Sequence, residues 1–142
     1  MIAYDKDFYG WTQDQARALK TRRLADLDID NLIEEIEAMG RSEKRALESR
    51  LVVLLTHLLK WKYQPARRGK SWQLTGKGQR INFENILDDN PSLKAQLDAL
   101  LERAYGKAII DAATETGLDE ETFPSRCPWT LAQVRDSNFY PD

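Results

Sequence analysis

The stretch Leu47-Glu48-Ser49-Arg50-Leu51-Val52-Val53-Leu54-Leu55-Thr56-His57-Leu58-Leu59-Lys60-Trp61 places large apolar side chains at 47, 51, 54, 58 and 61, a 4-3-4-3 spacing. That is the period of one helical face. Val52, Val53, Leu55 and Leu59 widen the face until little polar surface remains. A helix that is apolar nearly all round is one that other helices surround. The stretch therefore predicts a core helix, and with it an all-α helical bundle built around a central apolar rod.

Downstream, Gln64-Pro65-Ala66 ends this helix, because Pro65 disfavours helix at Gln64 and has no N–H to donate. A basic connection follows, and Ser71 is placed to cap a helix from Trp72 towards Asp89 that carries Ile81, Phe83, Ile86 and Leu87. Gly76 and Gly78 each weaken its first half by roughly 1 kcal/mol relative to alanine, which predicts a locally irregular start. Asn90-Pro91-Ser92 restarts the chain. Leu93, Leu97, Leu100, Leu101, Ala104, Ala108 and Ala112 then trace a stripe that ends near Glu115, with Gly117 at a C-terminal cap position. A short helix over Trp129–Arg135 and an irregular, aromatic-rich C-terminal strap complete the reading.

Upstream, Thr12 is a candidate cap for a helix running to Arg23, with Phe8, Tyr9 and Trp11 expected as an aromatic lid over the core. Asp28 and Asp30 open the next helix, whose buried stripe is expected to be Leu32, Ile33, Ile36 and Met39. Ile36 and Leu47 are 11 residues apart, which returns the chain to within about 20° of the same face. The segment therefore reads as one helix continuous, or slightly kinked, through Gly40. Everything is expected to fall within a single helical domain over residues 1–142.

Composition narrows the function classes. A 42% apolar and 31% charged chain is a globular sequence rather than a disordered one. Cys127 is the only cysteine, so no intrachain disulfide and no cysteine zinc motif are available. The longest apolar run, Leu51–Leu59, is interrupted by Thr56 and His57 and is far short of the roughly 20 residues that a membrane span needs. With no basic segment leading an apolar stretch at the start, a cytoplasmic protein without membrane association is expected. No glycine-rich phosphate loop follows a strand, and no cofactor is expected.

The formal net charge is −2, and it is unevenly spread. Residues 59–80 hold seven Lys and Arg and no acid. The cations are Lys60, Lys62, Arg67, Arg68, Lys70, Lys77 and Arg80, interleaved with Trp61, Tyr63 and Trp72. Cations for phosphates and rings for stacking suit an anionic macromolecule, single-stranded nucleic acid among them. The bland readings are that the window pairs internally with the acidic stretch over residues 26–37, or that Trp61 and Trp72 are core while the charges are simply solvated. The preferred expectation is a non-enzymatic helical interaction module in which this region meets an anionic partner, with an anionic macromolecule or a protein as the partners considered.

A contrasting expectation centres on His57, the only histidine. A metal-dependent hydrolase would need it to meet carboxylates such as Glu34 and Glu37 across the fold. Its own helix supplies no ligand three or four residues away, since those positions are Val53, Leu54, Lys60 and Trp61. The acids over residues 26–37 also have a structural reading, because helix starts favour them. A third expectation is a structural subunit of a homo- or hetero-oligomer, with the tail aromatics covering a neighbour.

Several stretches together resemble a bacterial family, Domain of Unknown Function 29. They are Tyr4–Phe8 with Trp11, Asn31–Glu37 leading to Gly40–Glu43, His57–Pro65, Ser71-Trp72, Glu115–Leu118 and Phe123–Thr130. The resemblance covers nearly the whole chain, and His57–Pro65 is its most distinctive part. It implies a small helical bacterial protein and brings no activity or catalytic residue with it. Gly76 and Gly78 depart from the more strongly helical character of similar sequences at that place.

Overall fold

A run of 35 residues, Ile29–Tyr63, forms one α-helix that passes through Gly40 without interruption. It is α2 of five helices in a computed structural model that describes residues 2–142; the others are α1 (Phe8–Lys20), α3 (Lys70–Asp89), α4 (Leu97–Thr116) and α5 (Leu131–Arg135). Short 3₁₀ turns at Leu24–Asp26, Pro65–Arg67, Pro91–Gln96 and Glu120–Thr122 join them, and no strand occurs among the described residues. The fold is all-α. Among the described residues, no helix is long and apolar enough to cross a membrane. The chain divides into two compact units, Met1–Ser42 and Glu43–Asp142.

In the larger unit the predicted seam is the core. Leu47, Leu51, Leu54 and Leu58 have no exposed surface, and Trp61 is 8% exposed. Phe83 and Leu87 of α3 join them, as do Leu97, Leu100, Ala104 and Ala108 of α4. Pro65 ends α2 as expected, within a 3₁₀ turn. Gly117 takes the left-handed conformation, φ 76°, and its N–H bonds the Ala113 carbonyl to close α4. Thr130 and Gln133 form a reciprocal capping box that starts α5.

The start of α3 is regular, contrary to the irregular first half expected from its glycines. Gly76 is buried, and a Cβ there would lie 3.0 Å from the Tyr140 hydroxyl and 3.4 Å from His57 Cδ2. Its missing side chain lets α3 approach α2 and the strap, which outweighs the loss of helix propensity. Of the apolar residues that α3 carries, Phe83 and Leu87 are buried and Ile81 is 51% exposed.

In the smaller unit α1 begins at Phe8 rather than after Thr12, because the Asp7 carboxylate accepts from the Gly10 N–H. Trp11, Gln15 and Ala18 are its buried residues. Trp11 donates its indole N–H to Asp28 at 2.9 Å, and Gln15 accepts from the Asp28 N–H at 2.7 Å. The Asp28 carboxyl is held below its ordinary range, first by the bond from Asn31 and then by that from Trp11. Tyr4 donates to Glu35. Two expectations fail here. Phe8 and Tyr9 are 50% and 73% exposed, so only Trp11 of the aromatic trio is buried. Ile33, Ile36 and Met39 are not a buried stripe, being between 49% and 61% exposed.

The two helical glycines of α3 make a paired prediction. Nothing lies within 4 Å of a Cβ built on Gly78, so Gly78→Ala should stabilise the protein by up to about 1 kcal/mol through helix propensity alone. Gly76→Ala should fail to show that gain, because its methyl presses on Tyr140 and His57. Urea unfolding of both variants checks this, and an equal gain at the two positions would contradict the packing role of Gly76.

Candidate functional site

The end of α2 has to satisfy its last carbonyls, and the basic window supplies the donor. Arg68 donates through Nε to the Trp61 carbonyl at 2.7 Å and through Nη2 to the Lys62 carbonyl at 3.4 Å. Its guanidinium also lies 5.4 Å from the centre of the Trp61 ring. A cation at a helix C-terminus suits the macrodipole. Arg68 therefore holds the α2 terminus in place.

Arg80 corrects the expectation for the basic surface more sharply. It is 2% exposed and reaches none of the solvent that an anionic partner would approach through. Nε donates to the Val134 carbonyl at 2.9 Å, Nη2 to Phe139 at 2.8 Å and Nη1 to Ser137 at 3.5 Å. Its cation also faces the Tyr140 ring at 5.4 Å. These bonds satisfy the last turn of α5 and the irregular strap that follows it, which has no ladder of its own. Beside it, Arg135 grips Glu84 with two bonds of 2.7 and 3.0 Å.

Lys60 is half-buried, 3.5 Å from Glu115 and 5.2 Å above the Trp72 ring. Trp61 packs on Tyr140 with 4.5 Å between ring centres. It is core, with no face free for a ligand. Trp72 is half-buried and set edge-on to His57. Lys62, Arg67, Lys70 and Lys77 remain. The last three are exposed, Lys62 is half-buried near the Tyr63 ring, and none of the four pairs with an acid among the described residues. Arg67 and Lys70 flank the start of α3, where Gly69 offers no side-chain cap and the first turn holds no acid.

His57 is 5% exposed, and its Nε2 lies 2.6 Å from the Trp72 carbonyl. A carbonyl only accepts, so Nε2 carries the proton and Nδ1 is left as the acceptor of a neutral ring. Burial pushes the imidazole below its ordinary value, opposed by the Trp72 carbonyl and reinforced by Lys60 and Arg80. The ring borders a cleft of about 210 Å³ whose lining includes Thr75, Lys60, Asp111 and Glu115. Asp111 and Glu115 come from one face of α4, four residues apart, a spacing that is visible in the sequence although its approach to His57 is not. Glu34 and Glu37 belong to the other unit, 3.4 and 3.9 Å from Arg41. Among the described residues no three His, Cys, Asp or Glu side chains converge as metal ligands would.

A larger hollow of about 550 Å³ lies between α4 and the strap, bordered by Tyr105, Cys127 and Trp129. Tyr105 donates to the Pro124 carbonyl at 2.6 Å. Burial pushes the Cys127 thiol up, away from the thiolate that a nucleophile requires.

The sign of the His57 effect follows from its depressed folded value. Above its ordinary value of 6.5 the ring is neutral in both states. As pH falls through that value the unfolded chain takes up a proton that the folded chain resists, so stability is lost. The wild type should therefore lose more stability between about pH 7.5 and about pH 5.5 than His57→Gln, which keeps an N–H donor for Trp72. Equal losses in urea titrations would contradict the buried neutral ring.

No curated protein and no solved structure matches the chain. Residues 3–140 of the 142 match the family described as Domain of unknown function DUF29. The chain belongs to the DUF29 family.

Proposed function

We propose that this protein is a non-enzymatic helical interaction module that uses Lys62, Arg67, Lys70 and Lys77 to engage an anionic partner, with nucleic acid as the first candidate. One observation carries the reading. Arg67 and Lys70 sit at the N-terminal end of α3, which already bears the positive pole of the helix and has no capping side chain. Like charge on like pole is unfavourable for folding, and a bound anion relieves it while satisfying open N–H groups. Lys62 and Lys77 extend the same acid-free window. With Trp61 and Arg80 buried, the reading rests on charge more than on base stacking.

In this reading the protein works in the bacterial cytoplasm and binds without catalysis. A hydrolase centred on His57 has weaker support, since the Nε2 proton is engaged by Trp72 and Glu34 and Glu37 lie beside Arg41.

Fluorescence anisotropy with labelled single-stranded RNA and DNA tests the proposal. Four phosphate contacts on a single strand imply a salt slope near −3, or roughly 50-fold weaker binding between about 50 and about 200 mM salt. Combined Arg67→Glu, Lys70→Glu and Lys77→Glu should abolish binding with helix content unchanged. No binding of either strand at the lower salt ends the nucleic-acid version. Binding undiminished in the triple variant removes this surface from the account.

A further inference from the structure

The cleft beside His57 has a one-sided hydrogen-bonding inventory. His57 is 5% exposed. Its Cδ2–Nε2 edge faces Gly76, where a Cβ would lie 3.4 and 3.6 Å from those two atoms. Nε2 gives its proton to the Trp72 carbonyl. Nδ1, on the opposite edge, has no partner among the described residues, and it is not sealed from solvent. Because the ring borders the cleft of about 210 Å³, a free acceptor is what the histidine offers there.

The two hydroxyls of the lining are in the same condition. Thr56 donates to the Val52 carbonyl at 2.7 Å, and Thr75 to the Ser71 carbonyl at 3.0 Å. A hydroxyl has one proton to give, so both oxygens are left as acceptors. From α4, Asp111 and Glu115 add two carboxylates, which only accept. Their positions differ by about 40° around the helix and so share a face. Among the described residues Lys60 is the one side-chain donor in the lining, and it lies 3.5 Å from Glu115.

Charge points the same way. The lining sets two carboxylates against one ammonium. Lys107 also bonds Asp111, at 2.7 Å, but it does so from outside the cleft, in a surface pair of the kind that contributes little. An anion entering here would meet lone pairs and carboxylates. A metal ion would lack ligands, since no three His, Cys, Asp or Glu side chains converge among the described residues. A compact cation with several N–H donors meets every requirement, giving protons to Nδ1 and the threonine oxygens and charge to the carboxylates. The space equals the share of about seven water molecules, which suits a guanidinium or a short alkylammonium group.

We infer that the cleft beside His57 binds a compact organic cation with several N–H donors, held by His57 Nδ1, Thr75, Asp111 and Glu115. Long-range proton–nitrogen NMR of the imidazole ring tests this at about pH 7.5, above the ordinary histidine range. The single histidine assigns its own signals. Methylguanidinium should move the Nδ1 resonance upfield in a saturable way, with a Kd on the order of 1 mM. Tetramethylammonium carries the charge without any N–H, and it should leave Nδ1 in place. Combined Asp111→Ala and Glu115→Ala should weaken methylguanidinium binding about tenfold or more. Helix content should be unchanged in that variant, since neither side chain is buried. Absence of a saturable shift with methylguanidinium, an equal shift with tetramethylammonium, or undiminished binding in the double variant overturns the inference. Should the double variant fold poorly, Glu115→Gln alone still has to weaken binding. A blocked arginine amide titrated in parallel identifies the source, and either result upholds the cation site. Weaker binding than methylguanidinium assigns the cleft to a free small cation, and equal binding to an arginine side chain of another protein.

Discussion

Six consecutive residues of α2, Leu54 to Leu59, are all buried, none more than 5% exposed. Six residues cover more than one and a half helical turns, so this part of the helix has no solvent side. Each direction around it has to be occupied by something else. The two polar members are satisfied locally, Thr56 by the Val52 carbonyl at 2.7 Å and His57 by the Trp72 carbonyl, which removes the cost of burying them. The requirement to be enclosed on all sides brings α3, α4 and the strap together. It also makes Gly76 necessary, since α3 can come close to His57 only where no side chain intervenes.

The same enclosure sorts the basic window by task. Carbonyls at the α2 terminus and along the strap lack partners in regular structure, and Arg68 and Arg80 provide them. Losing the Arg80 guanidinium would strand buried carbonyls, each at a cost of about 1–3 kcal/mol. Lys60 is drawn to Glu115. The cations that remain pair with no acid among the described residues, and the uncapped start of α3 lies among them. Charge that the fold does not use is the physical basis for the binding surface we propose.

Much of this was legible in the sequence. The 4-3-4-3 spacing from Leu47 to Trp61, the stop at Pro65, the cap at Gly117 and the continuity of α2 through Gly40 are local signals, and each has its counterpart in the structure. Long-range pairing was not legible. Arg80 looked like surface because nothing local reveals that three carbonyls of α5 and the strap, 54 to 59 residues away, accept from it. Helical period identified the stripe of Ile33, Ile36 and Met39 but could not say whether the chain itself covers it. Periodicity reports that a face is apolar, not what lies against it. Asp111 and Glu115, which line the His57 cleft, lie more than 50 residues from His57 in the chain, and no local signal places that face of α4 beside it.

Native-state hydrogen exchange measured residue by residue tests the enclosed helix most directly. Amides of Leu54–Leu59 should open only with global unfolding, and their exchange free energy should equal the unfolding free energy from urea titration. Amides of residues 29–42, on the exposed part of α2, should exchange through smaller openings. Exchange of Leu54–Leu59 at the rate of residues 29–42 would contradict the account, because a helix enclosed on every side has no local route to water.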